Sequence, residues 1–337
     1  MLHPPEITAV QDLNAERFLR EIVLPCRPVV LRGLVSSWPV VGAARSSPAA
    51  LRDYLLKFDC GGQTEAFVGD RSIAGRYFYG AGLQGFNFER RRIGFAVAVD
   101  SMIAALDRDD SQSMYVGSLP TDKYLPGFAA HHPLKILPAT IGSRIWLGHA
   151  ANVSPHYDAF DNLACVVAGK RRFTLYPPES IGKLYVGPID NTMAGQPVSL
   201  AASSGANEAD FPLFSEVRDQ ALRAELEPGD ALYLPKLWWH HVESLSGFNG
   251  LINYWWDAFS AGPDAPYTSL LLSLITIAER PLRERMAWQA FFDHYVFRRA
   301  GHPLAHLPED QHGLLGPLQP DNYGKIRARI MHLLRGG

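Results

Sequence analysis

The sequence predicts a mainly β protein with flanking helices: an antiparallel sandwich or barrel followed by a helical C-terminal tail. Three observations carry that prediction. From Met114 onward, short β-branched and aromatic runs recur between turn signals. From Tyr267 onward, apolar residues take up helical spacing instead. And 337 residues suffice for a full hydrophobic core, a length at which β-barrel enzymes commonly form one catalytic domain.

The strand-like runs, in order, are Pro28 to Leu31, Met114 to Val116, Ser143 to Leu147, Asn162 to Val167, Arg171 to Tyr176, Ala231 to Leu234, His241 to Leu245 and Leu251 to Trp256. Ala168-Gly169, Tyr176-Pro177-Pro178 and Glu227-Pro228-Gly229-Asp230 supply turns between them. Helices are expected ahead of the β region around Asp12 to Arg20, over Ser47 to Phe58 with Pro48 in the first turn, and within Ile93 to Leu106. The stretch Pro188 to Phe214, rich in Gly, Ser, Ala, Asn and Pro, reads as a long loop of the kind that often touches substrate. In the tail, Leu270, Leu271, Leu274, Ile277 and Ala278 define one helix. Pro281 opens a second, and Ile326, Ile330, Leu333 and Leu334 mark a third. The expected division is therefore 1–262 for the β body with its N-terminal α/β elaboration and 263–337 for the helical region.

Composition narrows the function. A net charge of −2 argues against a general electrostatic grip on nucleic acid. No apolar run is long enough to span a membrane, and no basic stretch followed by an apolar one marks a secretory signal. Cys26, Cys60 and Cys165 are odd in number and far apart, which suggests neither a disulfide framework nor a zinc knuckle, so a cytoplasmic protein is expected. Without secretion, the glycosylation pattern at Asn152-Val-Ser154 is accidental. There is no Gly-x-Ser-x-Gly elbow, no phosphate-binding glycine loop and no Cys/His pair at useful spacing.

The informative segment is Asn152-Val-Ser-Pro-His156-Tyr-Asp158. On a strand, residues two apart share a face, so an imidazole and a carboxylate can bind one side of a divalent metal. A histidine from a distant strand would complete two-His-one-carboxylate coordination and leave positions open, the arrangement of non-haem Fe(II) oxygenases. The distant partner is in Trp238-Trp239-His240-His241, where neighbours on a strand face opposite ways and only one histidine can reach the metal.

Four blocks together resemble the cupin-like Jumonji-C hydroxylases, a family that includes asparaginyl hydroxylases: Asn152 to Asp158, Asn162 to Pro178, Glu227 to Ser244 and Asn253 to Trp255. The resemblance spans most of residues 20–300. It implies a double-stranded β-helix (jelly-roll, cupin) fold and, because the family's ligand directly follows Trp-Trp, selects His240 with His156 and Asp158 as the Fe(II) ligands. It also implies 2-oxoglutarate as cosubstrate and O2 as oxidant. Decarboxylation of 2-oxoglutarate to succinate and CO2 is then coupled to hydroxylation of a substrate C–H bond.

The far carboxylate of 2-oxoglutarate needs a cation, and Arg suits a two-pronged contact. The family places lysine two residues after the glycine that here is Gly169. This chain has Arg171 there and Lys170 one place earlier, a departure that leaves both open; alternation separates Arg171 from Lys170 and Arg172, and Arg171 is the preferred residue. Similarity further nominates Tyr115 and Ser154 as hydroxyl partners, Asn162 and Asn253 as amide partners, and Trp255 as packing over the pocket.

Relatives dimerise through C-terminal helices, so a homodimer through residues 263–337 is implied. The substrate most in keeping with the family is a protein or peptide side chain. A tRNA base, a small molecule, or a metal-binding cupin-like module without activity are the alternatives. Specificity is expected in Gly75 to Arg92 and in Pro188 to Phe214.

Overall fold

The structure, a computed structural model, describes residues 7–10, 13–106, 108, 112–193, 195–203, 206–260 and 262–336. The expected helix start at Asp12 lies outside them. Two compact units result, Met1–Asp257 and Ala258–Gly337.

The first unit holds one sheet of twelve strands among the described residues. They are β1 (Ala9–Val10), β2 (Val29–Leu31), β3 (Gln63–Gly69), β4 (Arg76–Tyr77), β5 (Phe88–Gly94) and β6 (Ser113–Pro120), then β7 (Ser143–His156), β8 (Asp161–Ala168), β9 (Arg171–Tyr176), β10 (Leu222–Leu226), β11 (Ala231–Leu234) and β12 (Trp239–Trp256). The main path runs β1-β2-β11-β8-β12-β7-β6-β3-β5, with β10 on β9 and β9 on β12. Pairing is antiparallel except at β1–β2 and β4–β7.

β12 organises the barrel. Its first half pairs with β9, its second half with β8, and β7 runs along its other edge, so one strand crosses from one layer to the other. A register shift between Ser244 and Phe248 makes the bend. The result is the mostly β, jelly-roll body of a cupin-like domain. Its inner face is closed by side chains at alternate positions, among them Val166, Phe173, Leu175, Leu232, Leu234 and Val242.

The sequence-predicted strands all form, several with different limits. Ser143 to Leu147 is only the start of β7, and the two runs placed at His241 to Leu245 and Leu251 to Trp256 are one continuous strand through the shift. β3, β5 and β10 and the helix Pro39–Ser46 carry no clear period in the sequence. β5 has three consecutive arginines, and β10 (Leu-Arg-Ala-Glu-Leu) consists of helix formers held extended by pairing with β9. The helix over Pro48–Leu56 starts where expected: the Ser47 hydroxyl accepts from the Ala50 N–H at 3.0 Å, and Leu51 and Leu55 are buried one turn apart. Phe95–Ala104 is the third expected helix, and Ala15–Arg17 runs into a π-helical turn over Phe18–Val23.

The second unit contains helices Pro266–Thr276, Leu282–Phe292 (continued by a π turn, Asp293–Phe297) and Pro320–Leu334. Many of its large apolar side chains are exposed, Ile275 at 83% the most. No described helix is long and apolar enough to cross a membrane. All three cysteines are free thiols.

Candidate metal centre and adjoining cavity

β7 ends on His156, and Asp158 follows just beyond the strand rather than within it, so alternation along a strand is not what aims the pair. The chain from the far side is brought in by backbone. His240, the second residue of β12, lies directly opposite His156 in the antiparallel register. The Asp158 carbonyl accepts from the Leu237 N–H at 2.8 Å, and Leu237 takes a left-handed turn conformation to allow this.

One ligand atom from each of His156, Asp158 and His240 lies within 4.8 Å of the others. The imidazole centroids are 4.2 Å apart, and His240 Nε2 is 3.8 Å from Asp158 Oδ2. Each histidine is oriented through Nδ1: His156 toward the Ser154 carbonyl at 2.9 Å, His240 toward the Trp238 carbonyl at 3.0 Å. A carbonyl accepts, so Nδ1 carries the proton and both Nε2 lone pairs are left for the centre. Burial, with His156 adjoining, pushes the His240 pKa down to about 4, against the opposing pull of Asp158. It is therefore neutral at physiological pH, the form that ligates.

Asp158 is held by two donors: Asn162 Nδ2 at 3.3 Å and Trp255 Nε1 at 3.2 Å, both to Oδ2. Behind them, Asn253 Nδ2 donates to Asn162 Oδ1 at 3.1 Å, and Trp146 Nε1 donates to Asn253 Oδ1 at 2.7 Å. This chain of fixed amides sets which way each amide points. Two imidazole nitrogens and one carboxylate oxygen presented from one side suit a divalent ion. His241 turns to the opposite face, where its Nε2 is 2.6 Å from Asn152 Oδ1, and it is not part of the cluster.

A cavity opens from these three residues. Alternate positions of β8 (Asn162, Ala164), β9 (Arg171, Phe173) and β12 (Leu251, Asn253, Trp255) line its depth. Arg171 is only 3% exposed, yet its Nε and Nη2 have no hydrogen-bond partner. Unsatisfied buried donors on a charged group cost about 1.5–3 kcal/mol each unless something fills them. Burial works against the Arg171 charge and pulls its pKa down, with Tyr115 opposing; burial raises the Tyr115 hydroxyl to about 12, which keeps it a neutral donor. A guanidinium fork with free N–H groups beside a phenol fits a carboxylate, and so fits the far end of 2-oxoglutarate. Lys170 and Arg172 instead sit at the surface, paired with Glu227 at 2.6 Å and Glu225 at 2.7 Å.

Ser154 is a correction. It is buried and its hydroxyl has no partner, but it does not line the cavity. A register shift in the β7–β12 ladder pairs His240 with His156 but Val242 with Val153, so the extra residue puts Val153 at the cavity in place of Ser154.

The mouth is built by residues the sequence did not single out individually. Phe67, Tyr77 and Phe88 form an aromatic wall, and Met193, Gln196 and Val198 face it from the long loop. Trp146 was likewise missed. Tyr77 and Phe88 fall within the arginine- and aromatic-rich stretch flagged for specificity, and the three loop residues fall within Pro188 to Phe214. Nothing in the sequence distinguishes them from ordinary core aromatics.

A cupin-like barrel with a His-x-Asp pair and a distant histidine converging in its mouth defines the class. The family described as Cupin-like domain matches residues 15–262, and the chain belongs to this cupin-like, Jumonji-C family. It is similar to the human bifunctional peptidase and (3S)-lysyl hydroxylase JMJD7, 27% identical over 282 residues, 71% of this chain and 80% of that protein. It is similar to lysine-specific demethylase JMJ30 of Arabidopsis thaliana, 28% identical over 248 residues, 73% of this chain and 53% of that protein. A shorter match, 36% identical over 122 residues, covers 36% of this chain and 29% of Jumonji C domain-containing protein 5 of Drosophila melanogaster. The chain thus spans less than two thirds of the last two relatives.

Proposed function

We propose that this protein is an Fe(II)- and 2-oxoglutarate-dependent oxygenase that hydroxylates a C–H bond on a protein or peptide side chain. The observation that carries the reading is the pairing of the His156–Asp158–His240 cluster with a buried guanidinium in the same cavity, Arg171, whose Nε and Nη2 have no hydrogen-bond partner. Iron with 2-oxoglutarate and O2 would supply the oxidising power, releasing succinate and CO2. His156, Asp158 and His240 are the proposed ligands. Arg171 and Tyr115 would bind the far carboxylate, Asn162 and Asn253 fix the orientation of Asp158, and Trp255 both lines the cavity and hydrogen-bonds that carboxylate. The apolar walls, Phe173, Leu251 and Val242 among them, exclude water from the reacting centre.

A protein substrate is favoured because relatives matching over most of this chain are named as a lysyl hydroxylase and a lysine demethylase. The site assignments and a cytoplasmic location belong to this same reading. So does the division into a catalytic body, 1–262, and a helical region, 263–337, through which two copies would pair. Leu270, Leu271 and Leu274 are all exposed on one helix and support the pairing. Light scattering should report a dimer that Leu270→Glu with Leu274→Glu converts to monomer.

Adding Fe(II) and 2-oxoglutarate without oxygen should produce a weak visible charge-transfer band, and admitting air should release succinate. Neither signal at any iron loading would leave a metal-binding module without oxygenase activity.

A further inference from the structure

β5 is the terminal strand of the sheet path. β3 pairs with one of its edges, and no described strand occupies the other. Residues 89–92 of β5 are exposed. A free edge presents unpaired backbone N–H and C=O groups and is a template for another extended chain. A single charge is enough to discourage that, whereas β5 carries Arg90, Arg91 and Arg92 in succession. Alternation places Arg90 and Arg92 on the face of Phe88 and Arg91 on the other, so both sides of the edge are cationic.

The local acids do not neutralise it. Glu89 pairs with Arg91 at 2.8 Å and Glu65 approaches Arg90 at 3.7 Å. All four side chains are more than 40% exposed, which makes such pairs weak and exchangeable. Arg92 has no ion-pair or hydrogen-bond partner among the described residues.

The edge is continuous with the cavity. Phe88 lines the mouth, and the Arg90 guanidinium lies 5.2 Å from the centre of the Phe67 ring and 5.6 Å from that of Phe86. Arg90 Nη2 also donates to the Met193 carbonyl at 2.6 Å, tying β5 to the long loop. The Phe67 face of the cavity is therefore already capped by this chain's own cation. Apart from Asp158, no carboxylate among the described residues lines the cavity. Arg90, Arg91 and Arg92 beside this wall give a local field that favours negative charge.

We propose that β5 is the docking edge for an extended acidic segment of the protein substrate, paired to it as an added strand, with carboxylates on Arg91 and Arg92 and the chain leading past Phe88 to the cavity. The word substrate rests on the proposed oxygenase function; the docking does not, because it is measured without iron or 2-oxoglutarate.

The probe is a fluorescein-labelled, end-capped peptide of repeating Glu-Glu-Val-Val, which as a strand presents carboxylates on both faces, titrated into the full chain at low and moderate salt. We expect saturable, salt-sensitive binding, slowed amide exchange across residues 88–94, and at least a tenfold loss of affinity in Arg91→Glu/Arg92→Glu. Arg91→Lys/Arg92→Lys should keep most of the affinity, and circular dichroism should show both variants folded. No binding, equal binding of the lysine–valine counterpart, or binding that leaves the β5 amides unprotected would overturn the proposal. Tighter binding of a single-stranded RNA of equal charge would overturn it in favour of non-specific anion attraction. Failure of the oxygenase reading would show separately, as absence of 2-oxoglutarate turnover.

Discussion

His156 and His240 lie directly across from each other on antiparallel strands, their imidazole centroids 4.2 Å apart, each anchored through Nδ1 to a carbonyl two residues earlier in its own chain. Both Nε2 atoms are thereby aimed at the oxygen-bearing side of Asp158. Replacing any one of the three by Ala should abolish iron-dependent succinate formation and leave the fold intact by circular dichroism. His241→Ala removes only a contact to Asn152 on the other face and should retain a measurable fraction of turnover. The reverse outcome for the two adjacent histidines would move the ligand to His241.

Trp255→Phe tests the support of Asp158. The ring remains, but the 3.2 Å hydrogen bond to the carboxylate is lost. Partners of metal ligands of this kind commonly contribute about 10–100-fold in metal affinity. Iron titration should show a loss near the lower end, since Asn162 still donates to the same oxygen.

Arg171→Lys keeps the charge and removes the fork. The KM for 2-oxoglutarate should rise about 10–100-fold, the equivalent of about 1.5–3 kcal/mol for a charge-assisted hydrogen bond. Lys170→Ala, which loses only an exposed pair with Glu227, should leave that KM unchanged.

Gly169 sits at the β8–β9 turn with φ +68°, and a Cβ there would stand 2.3 Å from Asn249 Oδ1 and 2.7 Å from the Phe248 carbonyl. Both the backbone conformation and the space demand glycine. Gly169→Ala should destabilise by about 1–3 kcal/mol in urea unfolding.

His132 supplies a pH test away from the candidate metal centre. It stacks on Phe128 at 3.9 Å, its Nε2 accepts from the Val40 N–H at 3.3 Å, and Nδ1 faces the Phe128 carbonyl at 2.7 Å, so the neutral ring is the form that fits. Burial pushes its pKa down to about 4, below an ordinary value of 6.5. The folded state therefore binds fewer protons than the unfolded state between those values. Stability is whole above pH 6.5 and falls toward pH 4, by at most about 1.4 kcal/mol per pH unit. His132→Gln should be less stable at pH 7.5 and show a shallower loss of Tm over that window.

Much of this was legible in the sequence, and the failures have physical causes. β8 and β11 are short, mostly apolar runs and β9 a short run rich in aromatic and β-branched residues, all bounded by turn residues, and Ser47-Pro48 announces a helix start by its capping chemistry. β5 and β10 gave no period, because their extended state comes from pairing with β3 and β9 rather than from their own side chains. At the site, the His-x-Asp pair and the Trp-Trp-His run marked the metal cluster from opposite ends of the body. Alternation also put Arg171 on the opposite face from Lys170 and Arg172. Ser154, nominated by similarity alone, lies off the cavity, since a ladder irregularity changes which residues face inward and leaves no mark in composition.

By itself the sequence determined the chemistry on offer: two imidazoles and an arginine in strand-forming runs and a carboxylate two residues after one of the imidazoles, because residue type and spacing are local properties. Only the tertiary structure decided which of those groups meet. Convergence of His240 on His156, the hydrogen bonds that hold Asp158, and the capping of Phe67 by Arg90 depend on strand register and loop contacts between segments far apart in the chain. Register is set by the whole sheet, and no short stretch of residues records it.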